Sequence, residues 1–167
     1  MLFEKRPAAG NGQYSAIDNV SFSEEPISEP GTQVSNIASD NIGDTSIELS
    51  WDNGNGEGRL IICRAEEEPS SGPVDGTDYT ANNTFGSGTS LGNGSVVYKD
   101  SGDSVIIDGL TANTEYYFQA YEYNGDTEPD YNPATATGNP KSITTTPEPG
   151  MFFGIIVLGL SIIRIKC

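Results

Sequence analysis

Ile47, Leu49 and Trp51 occupy every second position of Thr45-Ser-Ile-Glu-Leu-Ser-Trp51, with polar residues between them. A period of two puts the three apolar side chains on one face of a strand, and a helix would scatter them. The pattern recurs: Leu110-Thr-Ala-Asn-Thr-Glu-Tyr-Tyr-Phe-Gln-Ala-Tyr-Glu-Tyr123 places Tyr116, Phe118 and Ala120 on one face and Tyr117, Gln119, Tyr121 and Tyr123 on the other. Between them, Arg59-Leu-Ile-Ile-Cys-Arg-Ala65 is apolar on both faces in its middle, so both faces of that strand need cover.

The connections are read from turn chemistry. Asp52 to Gly58 has the composition of a hairpin turn joining the Trp51 strand to the Cys63 strand. Ser95–Lys99 and Ser104–Asp108 are short strands that Asp100-Ser-Gly-Asp103 is expected to join as a second hairpin. Glu66 to Gly94 is rich in Gly, Ser, Asn and Pro, with Tyr79, Phe85 and Leu91 as its bulky apolar residues. A last strand is expected between Thr135 and Thr145, where Pro140 argues for an edge position or a bulge. The 20 glycines and 10 prolines of the 167 residues suit short strands and tight turns.

Charge and missing residue types exclude whole classes of function. Twenty-four acids against eight bases give a net charge of −16, leaving no basic stripe for a nucleic-acid backbone. The chain has no histidine, which removes Ser-His-Asp and Cys-His catalysis and His-ligated zinc and haem. Cys63 and Cys167 lie too far apart to suggest a disulfide framework, and Cys63 reads as a small buried apolar residue. The acids fall mostly in loops and outline no glycosidase cleft, so a non-enzymatic protein without a cofactor is expected.

About residues 32–146 the order of short strands, with a tryptophan on the second and aromatics on the sixth, is that of an all-β, immunoglobulin-like sandwich of about seven strands. The chain here resembles the fibronectin type III family. The resemblance is carried by Ser-Ile-Glu-Leu-Ser-Trp51 and by Gly109-Leu110-Thr111-Ala-Asn-Thr114-Glu-Tyr116. It implies structural roles for Trp51, Leu110 and Tyr116, with the Tyr116 hydroxyl bonded to nearby backbone in a tyrosine corner. It also points Ile61 and Cys63 inward and leaves Leu60 and Ile62 on the outer face beside Tyr117 and Tyr121. The interval from Cys63 to Ser104 is long for the family, and it is expected to fold over that face through Tyr79, Phe85 or Leu91.

Two ligand readings stand beside simpler ones. Tyr117, Tyr121 and Tyr123 would form a stripe suited to stacking sugars in a carbohydrate-binding or adhesin module, although sheet packing is preferred. Asp52, Asn53, Asn55 and Glu57 would offer oxygens to calcium, although a plain turn is preferred because EF-hand spacing is missing. Sequon matches at Asn19, Asn82 and Asn93 follow from an Asn/Gly/Ser-rich composition.

The flanks describe location. Residues 1–31 read as a flexible arm and linker: Ser15-Ala-Ile-Asp-Asn-Val-Ser-Phe-Ser23 alternates like a strand and resembles the closing strand of secreted lectin-like jelly rolls, and Glu24 to Gly31 is proline-interrupted. The opening residues lack the apolar stretch of a secretory signal, so the chain is expected to be a fragment, with an accessory piece of a larger secreted hydrolase as one alternative. At the other end Met151 to Ile163 is a hydrophobic helix candidate spanning only about 20 Å against a hydrocarbon core of about 30 Å. The order Pro147-Glu148-Pro149, apolar segment, Arg164 and Lys166 over residues 147–167 resembles the PEP-CTERM sorting signal of Gram-negative bacteria. That resemblance implies a transmembrane helix over 151–163 and an inner-membrane intermediate. It also implies an exosortase-type partner and a final place at the cell surface or in the extracellular matrix, with surface polysaccharide or another surface protein as further partners.

Overall fold

The alternation around Trp51 forms a strand, β2 (Ile47–Asp52), that buries Ile47, Leu49 and Trp51 on one side. The computed structural model describes residues 27–148 and contains no helix among them. β2 lies between β1 (Ser35–Ile42) and β6 (Ser104–Ile107) in a three-stranded antiparallel sheet. The second sheet has the order β4 (Ser90–Leu91), β5 (Gly94–Asp100), β3 (Gly58–Ala65), β7 (Glu115–Asn124), with β8 (Asp130–Tyr131) and β9 (Lys141–Thr144) both paired to the far side of β7. Seven strands therefore make the sandwich, and β4 and β8 are two-residue additions. Pro140 sits just before β9, whose free side needs no donor from it.

Neither expected hairpin forms. β2 pairs with β6, Glu48 opposite Ile106, while β3 pairs with β5, Leu60 opposite Lys99. Asp52 to Gly58 thus carries the chain from one sheet to the other, and Asp100 to Asp103 carries it back. A tight turn rich in Gly, Asn and Asp serves a sheet-to-sheet crossing as well as a reversal within a sheet. Which one forms is decided by the non-local register.

The inner faces of the two sheets enclose a core of Val34, Ile37, Ile47, Leu49, Trp51, Ile61, Cys63, Val97, Ile107, Leu110, Tyr116, Phe118, Ala120 and Ile143. Burial pushes the Cys63 thiol well above its ordinary range, which makes it an inert packing group. Trp51 meets Tyr98 edge-on at 5.1 Å and Phe85 meets Tyr116 at 5.2 Å, geometries that aromatic quadrupoles favour.

The ordered body begins before residue 32. Pro30 is buried and its carbonyl accepts from Asn132 Nδ2, and the Ser28 carbonyl accepts from Asn124 Nδ2. The chain leaves at the opposite end, where the Thr146 N–H donates to the Gly43 carbonyl and the Thr146 carbonyl accepts from Asn113 N–H. The remainder of the arm, the helix candidate 151–163 and residues Pro149, Arg164 and Lys166 lie outside the described residues. No helix among the described residues is long and apolar enough to cross a membrane.

Candidate functional site

The turn before β7 sets its register. Gly109, at a φ of 70°, and Asn113, at 53°, adopt left-handed backbone that bends residues 109–114 back on themselves. Tyr116 then points inward, and its hydroxyl accepts from the Thr111 N–H at 2.9 Å, which closes the tyrosine corner over buried Leu110.

From Tyr116 the inward alternation continues through Phe118 and Ala120 to Glu122, which has no solvent exposure. Opposite it in register, Arg59 is also buried. Glu122 Oε1 accepts from Arg59 Nε at 3.2 Å and from Gly54 N–H at 2.8 Å, while Oε2 accepts from Arg59 Nη2 at 3.1 Å and from Gly56 N–H at 2.9 Å. Arg59 Nη1 donates to the Ser101 and Gly102 carbonyls, so the same ion pair clamps both crossings between the sheets. Glycine is required where it stands: a Cβ on Gly54 would lie 2.0 Å from the Thr32 carbonyl oxygen, and one on Gly56 would lie 2.6 Å from Glu122 Oε2.

Each of the four residues considered for calcium has one side-chain oxygen engaged elsewhere. Asp52 accepts from Asn36 Nδ2, Asn53 from the Trp51 indole N–H, Asn55 from the Thr32 N–H and Glu57 from the Gly125 N–H. No cluster of acidic, Cys or His ligands that could hold a metal occurs among the described residues.

The outer face of β3 and β7 is covered rather than open. Leu60, Ile62, Val96, Tyr121 and Tyr123 pack with Tyr79 and Tyr131 into a second core, flanked by Ala81 and Leu91. Tyr79 and Leu91 come from the long interval between β3 and β5, whereas Phe85 turns inward to the main core. Tyr131, on β8, was not among the sequence candidates. It meets Tyr123 at 5.6 Å and Tyr79 at 6.0 Å between ring centroids. The expected tyrosine stripe is therefore not a stacking platform: Tyr121 and Tyr123 are buried. Tyr117 is half-buried and its hydroxyl donates to Glu115.

At the edge of this second core a pocket of about 280 Å³ is lined by Gly72, Pro73, Asp75, Tyr121, Tyr131 and Pro133. Asp75 Oδ1 accepts from the Tyr131 N–H at 2.9 Å, and the Tyr131 hydroxyl donates to the Thr77 carbonyl. Burial raises the Tyr121 hydroxyl to a pKa of about 12, so it stays a neutral donor and acceptor at physiological pH.

One sheet of β1-β2-β6 facing another of β5-β3-β7-β9, with a tyrosine corner ahead of β7, decides the architecture. The fold is fibronectin type III-like. No protein-family model matches the chain, and no curated protein is significantly similar to it in sequence. Similar solved structures include the fibronectin type III domain of human fibronectin type III domain containing protein 3, at 20% identity and a TM-score of 0.44, spanning 78% of this chain and 99% of that one. They also include the FN3 domain of human collagen XX, at 16% identity and a TM-score of 0.43, spanning 72% and 98%. Against this fibronectin type III-like frame, the covered outer face and the pocket beside it are the parts that set this chain apart from a bare seven-strand sandwich.

Proposed function

We propose that the domain is a non-catalytic spacer and interaction module of a cell-surface or extracellular-matrix protein, exported and sorted through its C-terminal segment. The observation that supports the spacer role is the placement of its ends. The chain docks through Ser28 and Pro30 beside Asn124 and Asn132, and it leaves through Thr146 beside Gly43 and Asn113. These positions flank opposite ends of β7, ten residues or about 33 Å of strand. Segments attached there are held in line and apart, which suits a spacer.

Pro147 and Glu148 are exposed immediately beyond the last contacts of β9. An exosortase-type enzyme would therefore meet Pro147 and Glu148 exposed beside Thr111 to Asn113 at the end of the sandwich, with the apolar segment and Arg164 and Lys166 holding the inner-membrane intermediate. Placed behind a secretory signal peptide and expressed in a Gram-negative host that carries an exosortase, the full chain is expected to yield a shortened species in the surface or medium fraction. An antibody to residues 32–144 detects it. Replacing Pro147 and Pro149 by alanine is expected to hold the full-length species in the inner membrane. A wild-type chain that stays full length in the inner membrane would mark the segment as a plain anchor instead.

A further inference from the structure

We propose that the pocket between Pro73 and Pro133 binds a primary ammonium group, as carried at the end of a lysine side chain of a partner protein. Three observations lead there. First, the pocket is lined by a polar group without a partner among the described residues: Tyr121 as a whole is 4% exposed, and its hydroxyl makes no hydrogen bond to any described residue. No fully sealed polar side-chain atom lacks a partner among the described residues, so this oxygen is open to the pocket and available to a guest. It sits at the Gly72 wall, because a Cβ added at Gly72 would fall 2.8 Å from it.

Second, the charge of the lining selects the guest. Asp75 is exposed and spends one carboxylate oxygen on the Tyr131 N–H, which leaves its other oxygen to accept from outside. None of the six lining residues is cationic. With a net charge of −16, the molecule concentrates cations at its surface and repels anionic ligands. An ammonium has three donors and no acceptor, which matches a carboxylate oxygen together with a phenol oxygen.

Third, the shape disfavours a sugar. Tyr121 and Tyr131 are buried, with their rings packed in the second core, so they offer no broad face on which a pyranose could stack. About 280 Å³ is at the small end of ligand pockets and suits one flexible side chain. Pro73 and Pro133 supply apolar walls for its methylene stem.

A spacer needs no such pocket, so this inference stands or falls apart from the sorting signal and the in-line geometry. The test is amide chemical-shift titration of the full chain with Nα-acetyl-lysine methylamide. Saturable shifts are expected around Gly72 to Gly76 and Tyr131, weakening as salt is raised. Asp75→Asn keeps an amide oxygen for the Tyr131 N–H but removes the charge, and it is expected to lower affinity more than tenfold. Tyr121→Phe keeps the packed ring and is expected to weaken binding severalfold, and Gly72→Ala is expected to block it. Three results would overturn the proposal: no saturable shift with the lysine derivative, equal binding by its Nε-acetylated form, or saturable binding of methyl glucoside that survives Asp75→Asn.

Discussion

Glu122→Ala is expected to destabilise the full chain by about 3–5 kcal/mol, the range for breaking a buried ion pair by removing one partner. The loss has several parts. Arg59 would remain buried, with its Nε and Nη2 donors deprived of the carboxylate that they share. The Gly54 and Gly56 amides would lose their acceptor in a loop built around it. Both sheet-to-sheet crossings would then loosen, because Arg59 also holds the Ser101 and Gly102 carbonyls. Glu122→Gln keeps the shape and one acceptor oxygen, and its expected cost is smaller but in the same direction. Urea unfolding measures both. A loss below about 1 kcal/mol for Glu122→Ala would mean that water or a shifted loop satisfies Arg59 without difficulty.

The second large effect is expected on the opposite face of the same strands. Ile62→Ala should cost about 2–5 kcal/mol, as for a large aliphatic side chain removed from a packed core. Ile62 is fully buried, although it stands on the side of β3 that a plain two-sheet sandwich would leave facing solvent. Its cover is Tyr79, Leu91 and the β7 tyrosines, so a vacated site there could be refilled only by moving the overlying loop. By contrast, Val74→Ser in the same loop should change stability by less than about 0.5 kcal/mol, since Val74 is 63% exposed. Comparable urea midpoints for Ile62→Ala and wild type would show that the cover does not pack as described.

The faces of β2 and β7 were legible because strand alternation is a local property, so that Trp51 and Phe118 fall inward by position alone, whereas β3 is apolar on both faces and the inward direction of Ile61 and Cys63 came from the family resemblance. Glu122 could have been found by the same alternation, extended two residues beyond Ala120. It was missed because a carboxylate is ordinarily read as exposed, and its guanidinium partner is 63 residues away. The spacing of Gly54, Gly56 and Gly58 carried a second signal, since each passes close to a side chain of β7, yet glycines beside asparagines read first as a turn. The two hairpins were misread because their turns look the same whichever sheet the chain enters next. Tyr79 and Leu91 were correctly expected over the outer face, where two adjacent apolar residues on β3 demand cover. Tyr131 and the pocket were beyond reach, since β8 is only two residues long and owes its position to Asp75 and Tyr123, not to any pattern of its own.

The interval between β3 and β5 is, on this account, a packed second layer that closes the outer face and shapes the pocket. Its backbone is tied in throughout: Ser70 N–H bonds the Gly92 carbonyl, Thr89 N–H the Thr80 carbonyl, Asn82 N–H the Val96 carbonyl and Phe85 N–H the Asp108 carbonyl. Amide hydrogen exchange of the full chain tests this most directly. The amides of Asn82, Phe85 and Thr89 are expected to exchange slowly, approaching the protection of β3 and β7. Rapid exchange throughout residues 74–94, with β3 and β7 still protected, would show a loose loop over an open apolar face and would contradict the account.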